Sequence, residues 1–159
     1  DSYSSLMRQK LGLASRRSDD RLLLAELLEL MAADQRDYTY TFRLLSHFES
    51  VDCNGSEFID HFINRTAAKS WLKKYQQRCA LETRATEERQ TQMKRANPKF
   101  ILRNYLAQQA IEAAEKGDNS ELDRLMTVLK RPYDEQPEFD DYAKLPPDWS
   151  KELSISCSS

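Results

Sequence analysis

The sequence predicts an all-α fold, and three observations carry that expectation. Leu, Ala, Glu, Gln and Arg are plentiful, and all are strong helix formers. Only three glycines occur in 159 residues, which disfavours both a turn-rich β fold and a phosphate-cradling glycine loop. Apolar residues recur at helical spacing, with matching start and stop signals, as far as about residue 130.

Taken in order, Leu6, Met7, Lys10 and Leu11 predict a short first helix. Gly12 stands where a left-handed C-terminal cap would fall. Ser18 or Asp19 can cap a second helix, whose Leu22, Leu23, Leu24, Leu27, Leu28, Leu30 and Met31 predict burial on most sides. Asp37 precedes Tyr38–Leu45, which alternates like a strand but continues through Phe48 as a helix capped by Asp37. Asp52 to Ser56 read as a turn, followed by a short helix carrying Phe58, Ile59, Phe62 and Ile63. Ala68, Trp71, Leu72, Tyr75 and Cys79 form one stripe of a long helix. Residues 82–92 hold no large apolar side chain, so a projecting helix, a hinge or a mobile link is expected there.

Asn97-Pro98 predicts the start of a helix running to Lys116 and stopping at Gly117. Ser120 caps the next, with Leu122, Leu125, Met126 and Leu129 on one face, and Pro132 ends it. Residues 131–159 carry Pro137, Pro146 and Pro147 among acidic residues. They read as an extended arm pinned by Tyr133, Phe139, Tyr142 and Trp149. The expected division is therefore a helical segment over 1–130 and an arm over 131–159.

Charge is segregated along the chain. Residues 1–64 hold seven basic and eleven acidic residues, a balance of −4. Residues 65–95 hold nine against three, giving +6, and residues 131–159 hold three against seven, again −4. A basic stretch flanked by acidic ones fits complementation within the protein better than nucleic acid, and Trp71 and Tyr75 lie on the stripe a helix turns inward. No apolar run approaches the roughly 20 residues that span a bilayer, so no membrane association is expected. The three cysteines are too few for a disulfide framework, which points to a reducing, cytoplasmic compartment. The start at Asp1 without methionine reads as a piece of something longer.

Few residues invite chemistry. His47, Cys53 and His61 lack a fourth ligand and the short paired spacing of a zinc site, so packing or surface roles are expected. Gly55 falls fourth from Asp52, not sixth as a calcium loop requires. Arg103 and Asn104, read as lying inside a helix, are expected to hydrogen-bond neighbouring backbone. No catalytic, cofactor-binding or metal-ligating residue is assigned. Cys157 alone stands out, two residues from the end among serines, either as a redox-regulatory thiol or as an inert exposed tail.

Several separated stretches resemble the C-terminal end of the selenoprotein O family. They are Leu6 to Leu13, Asp37-Tyr38-Thr39 with Phe42-Arg43, Asn97 to Ile111, Pro146-Pro147-Asp148-Trp149, and the terminal Ser156-Cys157-Ser158-Ser159. The resemblance implies a parent with a protein-kinase-like fold that transfers AMP from ATP to Ser, Thr or Tyr hydroxyls of proteins, using a divalent metal such as Mg. This chain would be the helical C-terminal part of its larger lobe, with the upstream kinase-like region as partner. No Gly-rich loop, Asp-Phe-Gly or catalytic-loop pattern occurs here, so none of the family's catalytic residues is carried over and the segment alone is expected to be inactive. Animal members end with selenocysteine at the place of Cys157 and carry a cysteine three residues earlier, where this chain has Ser154. A redox role for Cys157 would then need Cys53, Cys79 or a cysteine outside this chain. The competing reading is a free-standing helical interaction module without catalysis.

Overall fold

The computed structural model describes residues 2–50 and 55–147. Among them lie eight α-helices: α1 (Ser2–Lys10), α2 (Asp20–Ala33), α3 (Tyr38–Leu45), α4 (Gly55–His61), α5 (Arg65–Cys79), α6 (Thr86–Ala96), α7 (Asn104–Glu115) and α8 (Ser120–Leu129). A 3-10 helix spans Pro137–Ala143, and the described residues contain no strand. The all-α expectation holds. No helix among the described residues is long and apolar enough to cross a membrane. The chain divides into two compact units, residues 1–97 and residues 98–159.

In the first unit, the turn after α1 is made by Gly12 at φ 72°, as its place in the sequence predicted. A left-handed residue there lets Gly12 N–H reach the Gln9 carbonyl and Leu13 N–H reach that of Arg8. Leu11 and Leu13 on either side are buried. A Cβ at position 12 would lie 2.7 Å from the Arg89 and Met93 side chains, so glycine is required twice over. Asp37 caps α3, its carboxylate accepting from Tyr40 N–H at 2.8 Å. Asn64 caps α5 in the same way through Ala67 N–H.

The core gathers Met7, Leu27, Phe42, Phe58, Leu72 and Tyr75 with their neighbours. The α5 stripe is its spine: Trp71 stacks on Tyr75 at 5.2 Å and on Phe58 at 5.6 Å. The Trp71 indole donates to the Leu23 carbonyl at 2.9 Å, tying α5 to α2. Helix α2 is amphipathic, not buried nearly all round. Leu23, Leu27 and Met31 face the core, whereas Leu22 is 62% exposed.

Two expectations are corrected between residues 82 and 104. Residues 86–96 form a packed helix, α6, held against α1 by buried Met93 and Arg89. Asn97 does not start a helix. It ends α6 in extended conformation (φ −120°, ψ 104°), which a following proline favours, and α7 begins only at Asn104. The Asn97 side chain is fully buried, donating to the Lys10 carbonyl at 2.9 Å and to Ser46 Oγ at 3.2 Å. Arg103 and Asn104 accordingly sit at the N-terminus of α7, with Asn104 exposed.

In the second unit α7 packs on α8 through Tyr105, Leu106, Ala110 and Leu125, and Tyr142 joins from the 3-10 helix. Gly117 ends α7 at φ 91°. Residues 131–147 are not simply extended, because residues 137–143 coil into the 3-10 helix. Buried Gln136 accounts for part of this. Its amide donates to the carbonyls of Val128 and Arg131, satisfying the end of α8 that Pro132 cannot continue. Lys99 adds ion pairs to Glu135 at 2.6 Å and Asp140 at 2.8 Å. Of the four expected anchors, Tyr142 packs and donates to Glu121 at 2.9 Å, Phe139 meets Tyr142 edge-on, and Tyr133 is 45% exposed. Trp149 lies outside the described residues.

Two glycine substitutions should separate steric from conformational cost. Gly117→Ala, with open space around its position, should cost about 1 kcal/mol. Gly12→Ala should cost at least about 3 kcal/mol, because strain and clash add. Urea denaturation of each variant measures the difference, and equal losses would contradict the close approach of α6 to Gly12.

Candidate functional site

A cluster of buried polar side chains in the first unit lies where α1, α3, α5 and α6 meet. Tyr75, fully buried on α5, donates its hydroxyl hydrogen to the Leu11 carbonyl at 2.7 Å. Arg89 on α6 donates to the Tyr75 hydroxyl oxygen at 3.3 Å and to the Phe48 carbonyl just past α3. Gln90 donates to the carbonyls of His47 and Phe48. In return Arg43 on α3 donates to the Lys94 and Asn97 carbonyls at 3.1 and 2.9 Å. Arg43 thus satisfies carbonyls at the end of α6, where the helix dipole favours a cation, and α6 in turn bonds the loop carbonyls just past α3.

Cys79 is the one cysteine among the described residues. It lines a cavity of ≈ 270 Å³ with Phe48, Gln76, Glu82, Arg84 and Arg89. Burial pushes its thiol pKa up, against the lowering pull of Arg89 and Tyr75. Burial likewise raises Tyr75 well above the ordinary phenol range, with Cys79 adding to it. Both groups stay protonated at neutral pH, and a protonated thiol is a weak nucleophile.

Arg78 organises the outer end of α5. It donates through Nε to Asp20 at 2.5 Å, through Nη1 to Glu82 at 2.9 Å and through Nη2 to the Ser15 carbonyl at 3.0 Å. All three ionic side chains are shielded, at 7%, 12% and 6% exposure. Burial opposes ionisation of both carboxylates. For Asp20, hydrogen bonds from Arg78 and the Arg17 backbone outweigh it; for Glu82, bonds from Ser15 and Arg78 do. Both are held below their ordinary range.

Of the soft-ligand residues, His47 and His61 are described, and both have other partners. His61 shares a hydrogen bond with Thr41 at 2.8 Å and packs against Tyr40 and Phe62. Burial, then Arg36, lowers its pKa, so the ring is neutral at neutral pH. His47 contributes its carbonyl to Gln90. Cys53 and Cys157 lie outside the described residues. Among the described residues no group of three or more His, Cys, Asp or Glu could hold a metal ion. Arg43, Arg89 and Asn97 organise this region; Arg43 and Asn97 fall in stretches singled out in the sequence, whereas Arg89 falls in none and shows only as a long polar side chain on a helix with few apolar anchors.

With that geometry in view, comparison with known proteins is decisive. The family model described as "Protein adenylyltransferase SelO" matches residues 1–130. The chain belongs to the SelO family. It is 54% identical over 157 residues to the "Protein nucleotidyltransferase YdiU" of Yersinia pseudotuberculosis serotype O:1b (strain IP 31758), a match covering 99% of this chain and 32% of that protein. The proteins of the same name from Vibrio parahaemolyticus and Pectobacterium atrosepticum are 49% and 52% identical, each over 99% of the chain. The chain spans about a third of the length of these relatives.

Two measurements follow from the site. Depressed carboxylate pKa values stabilise the fold above the ordinary carboxylate range, and that contribution disappears as pH falls through the depressed values. Unfolding free energy should therefore drop as pH is lowered below about 4, and Arg78→Met should cost about 3 kcal/mol at neutral pH while flattening that acid limb. An unchanged acid limb in the variant would refute the role given to Arg78. Cys79 should react with iodoacetamide several-fold more slowly in the folded chain than in urea, and equal rates would show the thiol to be open.

Proposed function

We propose that this chain is the helical C-terminal portion of a kinase-like protein adenylyltransferase, which transfers AMP from ATP to Ser, Thr or Tyr hydroxyls of other proteins. The observation that carries the reading is coverage: nearly all of the chain aligns with about a third of proteins named nucleotidyltransferases. In the proposed reaction a protein hydroxyl oxygen attacks the α-phosphorus of ATP, the α–β bridging P–O bond breaks, and pyrophosphate leaves. The hydroxyl proton passes to a base in the remaining part of the protein.

ATP and a divalent metal such as magnesium are assigned to that remaining part. Several carboxylates of this chain are already paired with cations: Asp20 and Glu82 with Arg78, Glu26 with Lys74, and Glu135 and Asp140 with Lys99. No step of the transfer is given to a residue of this chain. Its part is to support the catalytic region, its partner, with helices locked by mutual capping. Cys157 is proposed as a redox-regulatory thiol and the cytoplasm as the compartment.

The test is an intact-mass measurement. The longer protein and this chain are incubated separately with ATP, magnesium and a test protein. The longer protein should add one adenylyl group to its target and the chain none, while a chain that adenylylates alone would overturn the division of labour. In the longer protein, Cys157→Ser should abolish any redox dependence of transfer and leave activity under reducing conditions intact. An unchanged redox response would remove the regulatory role.

A further inference from the structure

A groove of ≈ 680 Å³ is formed by α1, α2 and the loop between them. Its floor is apolar, made by Met7, Leu11, Leu13, Leu24 and Leu28. Its walls carry Arg8, Arg16, Arg17 and Arg21, four of the seven basic residues in a stretch whose balance is −4. Among the described residues Asp20 is the one carboxylate in the lining, and it is already bonded by Arg78 and also attracted by Arg8. None of the four arginines forms an ion pair with a carboxylate among the described residues. The groove therefore offers several guanidinium groups beside the half-buried side chains of Leu24 and Leu28, with the buried Met7, Leu11 and Leu13 beneath them.

We propose that this groove seats an acidic, apolar-faced segment from the part of the longer protein outside residues 1–159. The inference rests on the reading of the chain as one part of a longer protein. Two independent observations select that occupant. The relatives are about three times as long as this chain, so on that reading about two thirds of the polypeptide lies outside residues 1–159 and is available to pack on it. The groove's charge is complementary to carboxylates, and arginine over an apolar floor is the composition that buried interface centres favour. Nucleic acid fits less well, because among the described residues Tyr3 is the one aromatic side chain in the lining, which offers bases little to stack on. Arg17 and Arg21 sit on the exposed wall, where their forks can reach a carboxylate without moving the floor.

Zero-length cross-linking of the longer protein tests this directly. Arg17→Lys and Arg21→Lys keep the charge and supply an amine that a carbodiimide can couple only to a carboxylate in direct contact. The expected result is an amide between position 17 or 21 and an Asp or Glu outside residues 1–159, in molecules of monomer mass. The pair Lys74–Glu26, at 3.2 Å, reports in the same digest that coupling works and the first unit is folded. Cross-links confined to carboxylates within residues 1–159 would overturn the proposal. So would cross-links found only at dimer mass, or none from positions 17 and 21 while Lys74 couples. The readout is independent of AMP transfer. A cross-linked but inactive protein would sink the functional reading and leave the groove assignment, and an active protein without the cross-link would do the reverse.

Discussion

The first unit depends on an exchange of hydrogen bonds between two helix ends. Arg43 on α3 donates to the final carbonyls of α6, and Arg89 and Gln90 on α6 donate to the carbonyls just beyond α3. The last carbonyls of any helix have no partner within it, and leaving them buried and unbonded costs about 1–3 kcal/mol each. Guanidinium groups satisfy several at once and also complement the helix dipole. The two arginines are only 6% and 5% exposed, so their stems pack while their charges are spread over carbonyls and rings. Other features accommodate this exchange. Gly12 leaves room for the Arg89 stem, Asn97 closes the far end against Lys10 and Ser46, and Tyr75 joins Arg89 to the end of α1.

That arrangement explains which parts of the fold were legible in the sequence. Helices held by apolar stripes could be read directly: Phe58 on α4, the stripe of Ala68, Trp71, Leu72 and Tyr75 on α5, and Leu125 on α8 all face inward as their spacing predicts. Asp37, Gly12 and Gly117 were readable because their roles are local, a side-chain cap and two left-handed turns. Helix α6 was not, since its anchors are one methionine and one arginine and periodicity counts only the first. Asn97 misled for a related reason. Asn-Pro begins helices as readily as it follows them, and the long-range bonds to Lys10 and Ser46 decide between the two. Leu22 shows the converse error, where a dense leucine run conceals an exposed face.

The chemistry follows the same division. The titratable groups of the first unit that are pulled from their ordinary range are committed to structure. Asp20 and Glu82 hold Arg78, Tyr75 holds Leu11, and His61 is neutral beside Thr41. Perturbed groups often mark active sites, but here each perturbation traces to burial or to a partner that fixes a helix. The chain belongs to the SelO family, and the polar residues described above hold helices together.

The claim that this chain supplies architecture and its longer parent supplies the nucleotide site is tested most directly by calorimetry. Magnesium-ATP is titrated into the folded chain at neutral pH. The account predicts no saturable heat in the micromolar range. A saturable, magnesium-dependent isotherm at micromolar ATP would contradict it and place a nucleotide site within these 159 residues.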